Sequence, residues 1–140
     1  MAAENKRRIL IVEDEKDMQE VMRTLLERVG YEITSAYDVA TAVQVLRGKP
    51  LPDLMLLDLM LPEISGLELL RQIRAKDVFD DLPVIIVSAL ADPDQIRNGF
   101  DLGADRYVTK PAIAHNLVKT VQEVFRMGRR KVTPAPNPPT

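Results

Sequence analysis

Four short apolar runs each end in polar residues that suit one chemistry. Ile9-Leu10-Ile11-Val12 is followed by Glu13, Asp14 and Glu15, Leu54-Met55-Leu56-Leu57 by Asp58, Val84-Ile85-Ile86-Val87 by Ser88, and Tyr107-Val108 by Thr109, Lys110 and Pro111. If the runs are strands of one sheet, carboxylates from two of them share an edge. Two unit charges ~4 Å apart interact by about 4 kcal/mol at an effective dielectric of ~20, so a cation must offset them. Mg²⁺ suits the set, because it takes one or two carboxylates, keeps waters and reserves a position for a phosphate oxygen. Asp58 is then placed to attack a phosphoryl group as a carboxylate nucleophile, with Mg²⁺ held by Glu13, Asp14 and Asp58, and Lys110 on another phosphoryl oxygen. Ser88 Oγ could hydrogen-bond the attached group and be drawn toward it.

The elements that must position these residues are legible in the spacing. Apolar or β-branched runs begin near residues 9, 32, 54, 84 and 107, leaving room each time for a strand and a crossover helix. The spacing predicts an α/β chain, (βα)5, with one doubly wound parallel sheet between two helical layers. The first, third and fourth runs are apolar throughout, which predicts central strands covered on both faces. Met18, Val21, Met22, Leu25, Leu26 and Val29 give one helix, stopped at Gly30, and Val39, Ala42, Val43 and Leu46 a second. Leu67, Leu69, Leu70 and Ile73 mark a third, and Leu117, Val118, Val121, Val124 and Phe125 the last. Between Asp92 and Leu102 the stripe is thin, only Ile96, Phe100 and Leu102, so the fourth helix is weakly anchored and suited to move. Ligands of such sheets bind beyond the carboxyl ends of the strands, where the polar residues stand.

Composition agrees. The 140 residues, 46% apolar, predict one folded unit at 8–127, a short extension at 1–7 and a Pro-rich flexible tail or linker at 128–140. A formal charge of −2 gives no general attraction to nucleic acid or anionic lipid. Zero Cys and one His exclude disulfide scaffolds, thiolate zinc sites and Cys-His catalysis. With no run long enough to span a bilayer and no secretory leader pattern, a soluble cytoplasmic protein is expected. Arg126, Arg129, Arg130 and Lys131 form the one basic cluster, suited to a helix end and linker.

Singly, each residue has a plainer reading. Glu13-Asp14-Glu15 could be the negative first turn of a helix, Asp58 or Ser88 a helix cap, Tyr107 a lid on the core, and Gly66 and Pro62 turn residues. A glycine-rich dinucleotide turn is absent, since Val12 is followed by Glu13-Asp14-Glu15-Lys16. A phosphatase of the haloacid-dehalogenase type wants a second acid two residues after its nucleophile, where Met60 stands.

Taken together, Ile9–Glu15, Asp53–Pro62 with Gly66, Pro83–Ala89 and Gly103–Pro111 resemble the receiver domain of response regulators, the CheY-like domain of two-component signalling. The resemblance runs from about residue 8 to 127. It implies sheet order 2-1-3-4-5, Asp58 as the phosphorylated residue, Glu13 and Asp14 as the acidic pair, and the Met60 carbonyl as a further Mg²⁺ ligand. It also implies Ser88 as the switch hydroxyl, Tyr107 as its rotating aromatic partner, Lys110 on the phosphate and a cis bond before Pro111. The implied protein is a signalling switch and not an enzyme acting on other molecules. It takes its phosphoryl group from a histidine kinase or histidine phosphotransfer protein. Its output passes through the face of the fourth helix, fifth strand and fifth helix to a downstream effector, with neither membrane nor nucleic acid as expected partner, as a monomer or weak homodimer. Met60 and Leu90 are apolar where polar residues can help orient a hydrolytic water, which implies a slowly decaying acyl phosphate. Arg106, Asn116 and Thr120 do not reproduce the charge pattern of receivers that dimerise through that face.

Overall fold

The computed structural model of the chain describes residues 6–130. Five strands, β1 (Arg8–Val12), β2 (Glu32–Ala36), β3 (Leu54–Leu57), β4 (Val84–Ser88) and β5 (Arg106–Thr109), alternate with five helices, α1 (Lys16–Val29), α2 (Val39–Arg47), α3 (Gly66–Arg74), α4 (Pro93–Asp101) and α5 (Ile113–Met127). All strand pairs are parallel and the order is β2-β1-β3-β4-β5, as expected. Alternation along the central strands feeds two cores. Leu10, Val12, Met55, Leu57 and Ile86 pack on Ala42, Leu46, Leu70 and Ile73, while Ile9, Ile11, Leu54, Leu56 and Ile85 pack on Met22, Leu26, Leu117 and Val121. β1, β3 and β4 are buried nearly throughout, whereas β2 and β5 are partly open, as edge strands are.

Two helices differ from their apolar patterns in informative ways. In α1 the buried line is Gln19, Met22 and Leu26, while Val21 and Val29 face outward. In α4 the thin stripe is compensated by Gly99, the one fully buried position of that helix. A Cβ there would lie 2.5 Å from Ile86 Cδ1, so the helix backbone rests directly on β4. Close backbone approach supplies the contact that large side chains supply elsewhere.

The plainer reading of the caps fails. Asp38, Ser65 and Asp92 cap α2, α3 and α4 with their side chains, so neither Asp58 nor Ser88 is a cap. The bond before Pro111 is trans, contrary to the resemblance; the cis X–Pro bond among the described residues is Lys49–Pro50. Pro111 sits in a 3-10 turn, Lys110–Ala112, that runs straight into α5, where a fixed φ and a missing N–H suit the opening of a helix.

The folded unit also reaches past the limits set by apolar periodicity. Arg7 accepts Glu32 N at 2.9 Å and its guanidinium lies 4.7 Å from the Phe125 ring centroid. At the other end, Arg129 and Arg130 bond back to the body. The fully buried Asp105 carboxylate accepts Arg129 Nε at 3.1 Å, Arg130 N at 2.8 Å, Val84 N at 2.9 Å and Arg74 at 3.3 Å. Arg130 donates to Phe100 O and Ala104 O, and Arg129 to Asp80 O and Gly103 O. No hydrophobic pattern reveals guanidinium-to-backbone bonds, which is why residues 129 and 130 read as tail. The rest of the expected tail, 131–140, and residues 1–5 of the expected extension lie outside the described residues. Removing one partner of a buried, multiply bonded charge leaves the others desolvated, so Asp105→Ala is expected to cost about 3–5 kcal/mol in urea unfolding. A loss within error of zero would show that the cluster is not an anchor.

Candidate functional site

The site follows from strand register. β1 and β3 are neighbours with Val12 opposite Leu57, so the next residues, Glu13 and Asp58, leave the sheet side by side. Their backbones are fixed at that exit: Asp58 N donates to Val12 O and Glu13 N to Ala36 O, both at 3.0 Å. The three carboxylates Glu13, Asp14 and Asp58 each offer an oxygen within 4.8 Å of the others. Glu13 and Asp58 are buried and Asp14 is exposed, so a shielded pair meets a solvent-facing acid.

Lys110 reaches this edge from the end of β5. Its Nζ lies 2.9 Å from Glu13 Oε1, 3.2 Å from Asp58 Oδ2 and 3.5 Å from Glu15 Oε1. Burial lowers the ammonium's proton affinity, but the Glu13 and Asp58 carboxylates outweigh it and hold Lys110 above the ordinary lysine range. One cation among four acids leaves an excess of negative charge. Burial is the main reason that Glu13 is pushed up to about 7; Lys110 opposes it and the Asp58 charge adds to it.

The remaining Asp58 oxygen is oriented by the chain. Asp58 Oδ1 accepts Met60 N at 3.1 Å, and Gly66 N, at the start of α3, donates to Leu59 O at 2.9 Å. A Cβ on Gly66 would lie 2.2 Å from Asp58 O and 2.8 Å from Leu59 Cα. Only glycine lets α3 brace the Asp58 loop so closely, a role the turn reading of Gly66 missed. The Met60 side chain is 58% exposed, and its peptide lies within the same turn.

β4 and β5 bring up the other named residues. Leu57 pairs with Ile86, so Asp58 and Ser88 leave adjacent strands at the same edge. Ser88 is fully buried, and its Oγ accepts Leu90 N at 3.2 Å. Tyr107, paired with Ile86, donates its hydroxyl to Leu90 O at 2.5 Å, so the loop after β4 is gripped from both sides. His115 is exposed on α5.

Two buried polar residues went unread in the sequence, Gln19 beside the site and Asp105 at the opposite end of the sheet. Gln19 is a polar side chain in the buried line of an amphipathic helix, and that placement was its signal. Asp105 had no local signal beyond its position before β5.

The residues fit a divalent cation. The donor set of Glu13, Asp14 and Asp58 is all hard oxygen, and the acids outnumber the one ammonium, Lys110, that meets them.

Comparisons with known proteins agree with this geometry. The response regulator receiver domain family matches residues 9–122, and the chain belongs to that family. It is 38% identical over 120 residues to the phosphate regulon transcriptional regulatory protein PhoB of Escherichia coli K12, an alignment covering 86% of this chain and 52% of PhoB. The chain thus spans about half the length of the curated relatives it matches. It resembles a putative response regulator from Chloroflexus aurantiacus with a TM-score of 0.81 and 30% identity, covering 87% of this chain and 99% of that one. It resembles Thermotoga maritima TrrA, solved in complex with Mg²⁺-BeF, with a TM-score of 0.73 and 31% identity, covering 84% and 98%. The domain is therefore a phosphoacceptor signalling module of the two-component type.

The raised Glu13 pKa has a signed consequence. The folded state holds that proton more tightly than the unfolded chain, so the stability it contributes is full below about pH 4.5 and lost as pH rises through about 7. In chelator, wild type should lose stability relative to Glu13→Gln across that window, and saturating Mg²⁺ should restore it. Parallel pH profiles in thermal melts would show that Glu13 does not titrate there.

Proposed function

We propose that Asp58 is the phosphoacceptor of a receiver domain whose body, residues 8–127, is extended by the docked Arg7, Arg129 and Arg130. Support comes above all from its position: a carboxylate only 2% exposed, at the exit of a central strand, 3.2 Å from the Lys110 ammonium and beside two further acids. An Asp58 carboxylate oxygen attacks phosphorus, the new P–O bond forms as the donor's bond to phosphorus breaks, and the leaving group departs with that electron pair and takes up a proton. The donor is a histidine kinase or histidine phosphotransfer protein. Glu13, Asp14, Asp58 and the Met60 carbonyl would hold Mg²⁺, which when bound neutralises charge on the transferring phosphoryl oxygens. Lys110 meets another phosphoryl oxygen and keeps the acyl phosphate's charge balanced.

Ser88 then turns toward the attached group, releasing the loop that Leu90 N and Leu90 O tie to Ser88 and Tyr107. Tyr107 moves into the vacated space and the α4-β5-α5 face changes shape, which shifts a population toward partner binding. The thin side-chain anchoring of α4 makes this the face of least resistance. The chemistry is confined to the domain's own Asp58, so the module switches and does not turn over other substrates. A cytoplasmic protein, monomeric or weakly dimeric, is the setting this reading requires.

Incubation with a small phosphodonor and Mg²⁺ should add one phosphoryl group by intact mass, and Asp58→Asn should remove the adduct; an unchanged adduct in Asp58→Asn refutes the assignment. Exposed Met60 and half-buried Leu90 offer no polar group to align water, so the adduct should persist for minutes or longer at neutral pH. Decay within seconds would contradict that. Beryllofluoride with Mg²⁺ should shift amide resonances across α4, β5 and α5 in wild type and much less in Ser88→Ala; full-sized shifts in the variant would remove Ser88 from the switch.

A further inference from the structure

Gln19 lies on the second turn of α1 and is 1% exposed. Its amide Nε2 is 2.9 Å from Ile11 O, 3.2 Å from Glu13 O and 3.0 Å from Ala36 O. Those carbonyls lie at the carboxyl ends of β1 and β2 and on Glu13 just beyond β1, and Ala36 O accepts Glu13 N as well. Three acceptors around one nitrogen fix the orientation of the amide, because an oxygen placed there would face only lone pairs. Its own Oε1 is buried without a donor. A leucine or methionine would fill the same core position on the Met22–Leu26 line without burying an unpaired Oε1, so apolar packing gives no reason for this side chain and the carbonyls it serves must.

The Glu13 contact supplies the reason. Glu13 O begins the peptide that carries Asp14, and Glu13 N is bound to the same Ala36 O that accepts from Gln19. Gln19 therefore grips both ends of the Glu13 backbone, the N–H side through Ala36 and the C=O side directly. That fixes the direction in which the Glu13 and Asp14 side chains leave the strand. Free rotation of the Glu13–Asp14 peptide would let the exposed Asp14 carboxylate swing away from the Glu13–Asp58 pair, which repels it.

We infer that Gln19 is a positioning residue for the divalent-cation site, orienting the Glu13–Asp14 acidic pair through the Glu13 and Ala36 carbonyls. It neither touches the cation nor titrates. The inference rests on the reading of Glu13, Asp14 and Asp58 as Mg²⁺ ligands. Residues that orient metal ligands from behind typically change metal affinity by about tenfold or more when removed.

The test is Mg²⁺ titration calorimetry on the full chain, with thermal melts on the same samples. Gln19→Met keeps the length and removes both donors; it should weaken Mg²⁺ binding about tenfold. Leu26→Ala, about two turns further along the same buried face of α1, serves as the destabilised control and should bind Mg²⁺ like wild type although it melts earlier. Gln19→Asn keeps the amide but withdraws it by one methylene, and should also lose affinity; it decides the question if the Met variant does not fold. Wild-type affinity in the folded Gln19 variants, or an equal loss in Leu26→Ala, would overturn the inference while leaving the metal site intact. Absence of Mg²⁺ binding by wild type would overturn both.

Discussion

Negative charge forced together at the carboxyl edge of the sheet is the constraint that organises this domain. Glu13 and Asp58 are driven into contact because β1 and β3 are hydrogen-bonded neighbours in fixed register, and the alternation of their buried side chains resists a slip of that register. Lys110 cancels part of the repulsion and is held above its ordinary proton affinity in doing so. The uncancelled remainder is negative charge that favours a divalent cation at this edge.

Much of the surrounding architecture keeps that arrangement from relaxing. Gly66 lets α3 press on the Asp58 backbone at a distance no side chain would permit, and Met60 N holds one Asp58 oxygen. Gln19 fastens the opposite wall. Asp105, at the other end of the sheet from the acidic cluster, gathers Val84, Arg74, Arg129 and Arg130 and joins the chain after α5 to the base of β4 and β5.

Rigidity is distributed unevenly, and the unevenness has a direction. The strands bearing the acids are buried on both faces, whereas α4 rests on the sheet through a glycine and the loop after β4 is held by few bonds, those of Ser88 and Tyr107 to Leu90 among them. A rigid charge trap beside a lightly held helix is a physical basis for a local event with a distant readout.

The five apolar runs, the helical spacing between them and the acids and lysine at the strand ends are local features of the chain, and they carried the architecture and the acidic site. The parallel pairing matched because buried strands need helices on both faces and crossovers have one hand, whereas the strand order was implied by the family resemblance. What remained illegible depends on residues far apart in sequence. Arg130 meets Asp105 across 25 residues, and Gln19 meets Ala36 across 17. The α4 contact through Gly99 and the docking of Arg129 and Arg130 likewise follow from packing and hydrogen bonding that have no periodicity. Sequence by itself set which groups stand at which strand ends, because side-chain period and apolar runs are short-range. Tertiary structure alone decided which oxygen faces which cation, because a hydrogen bond is won or lost over tenths of an ångström that only the assembled chain defines.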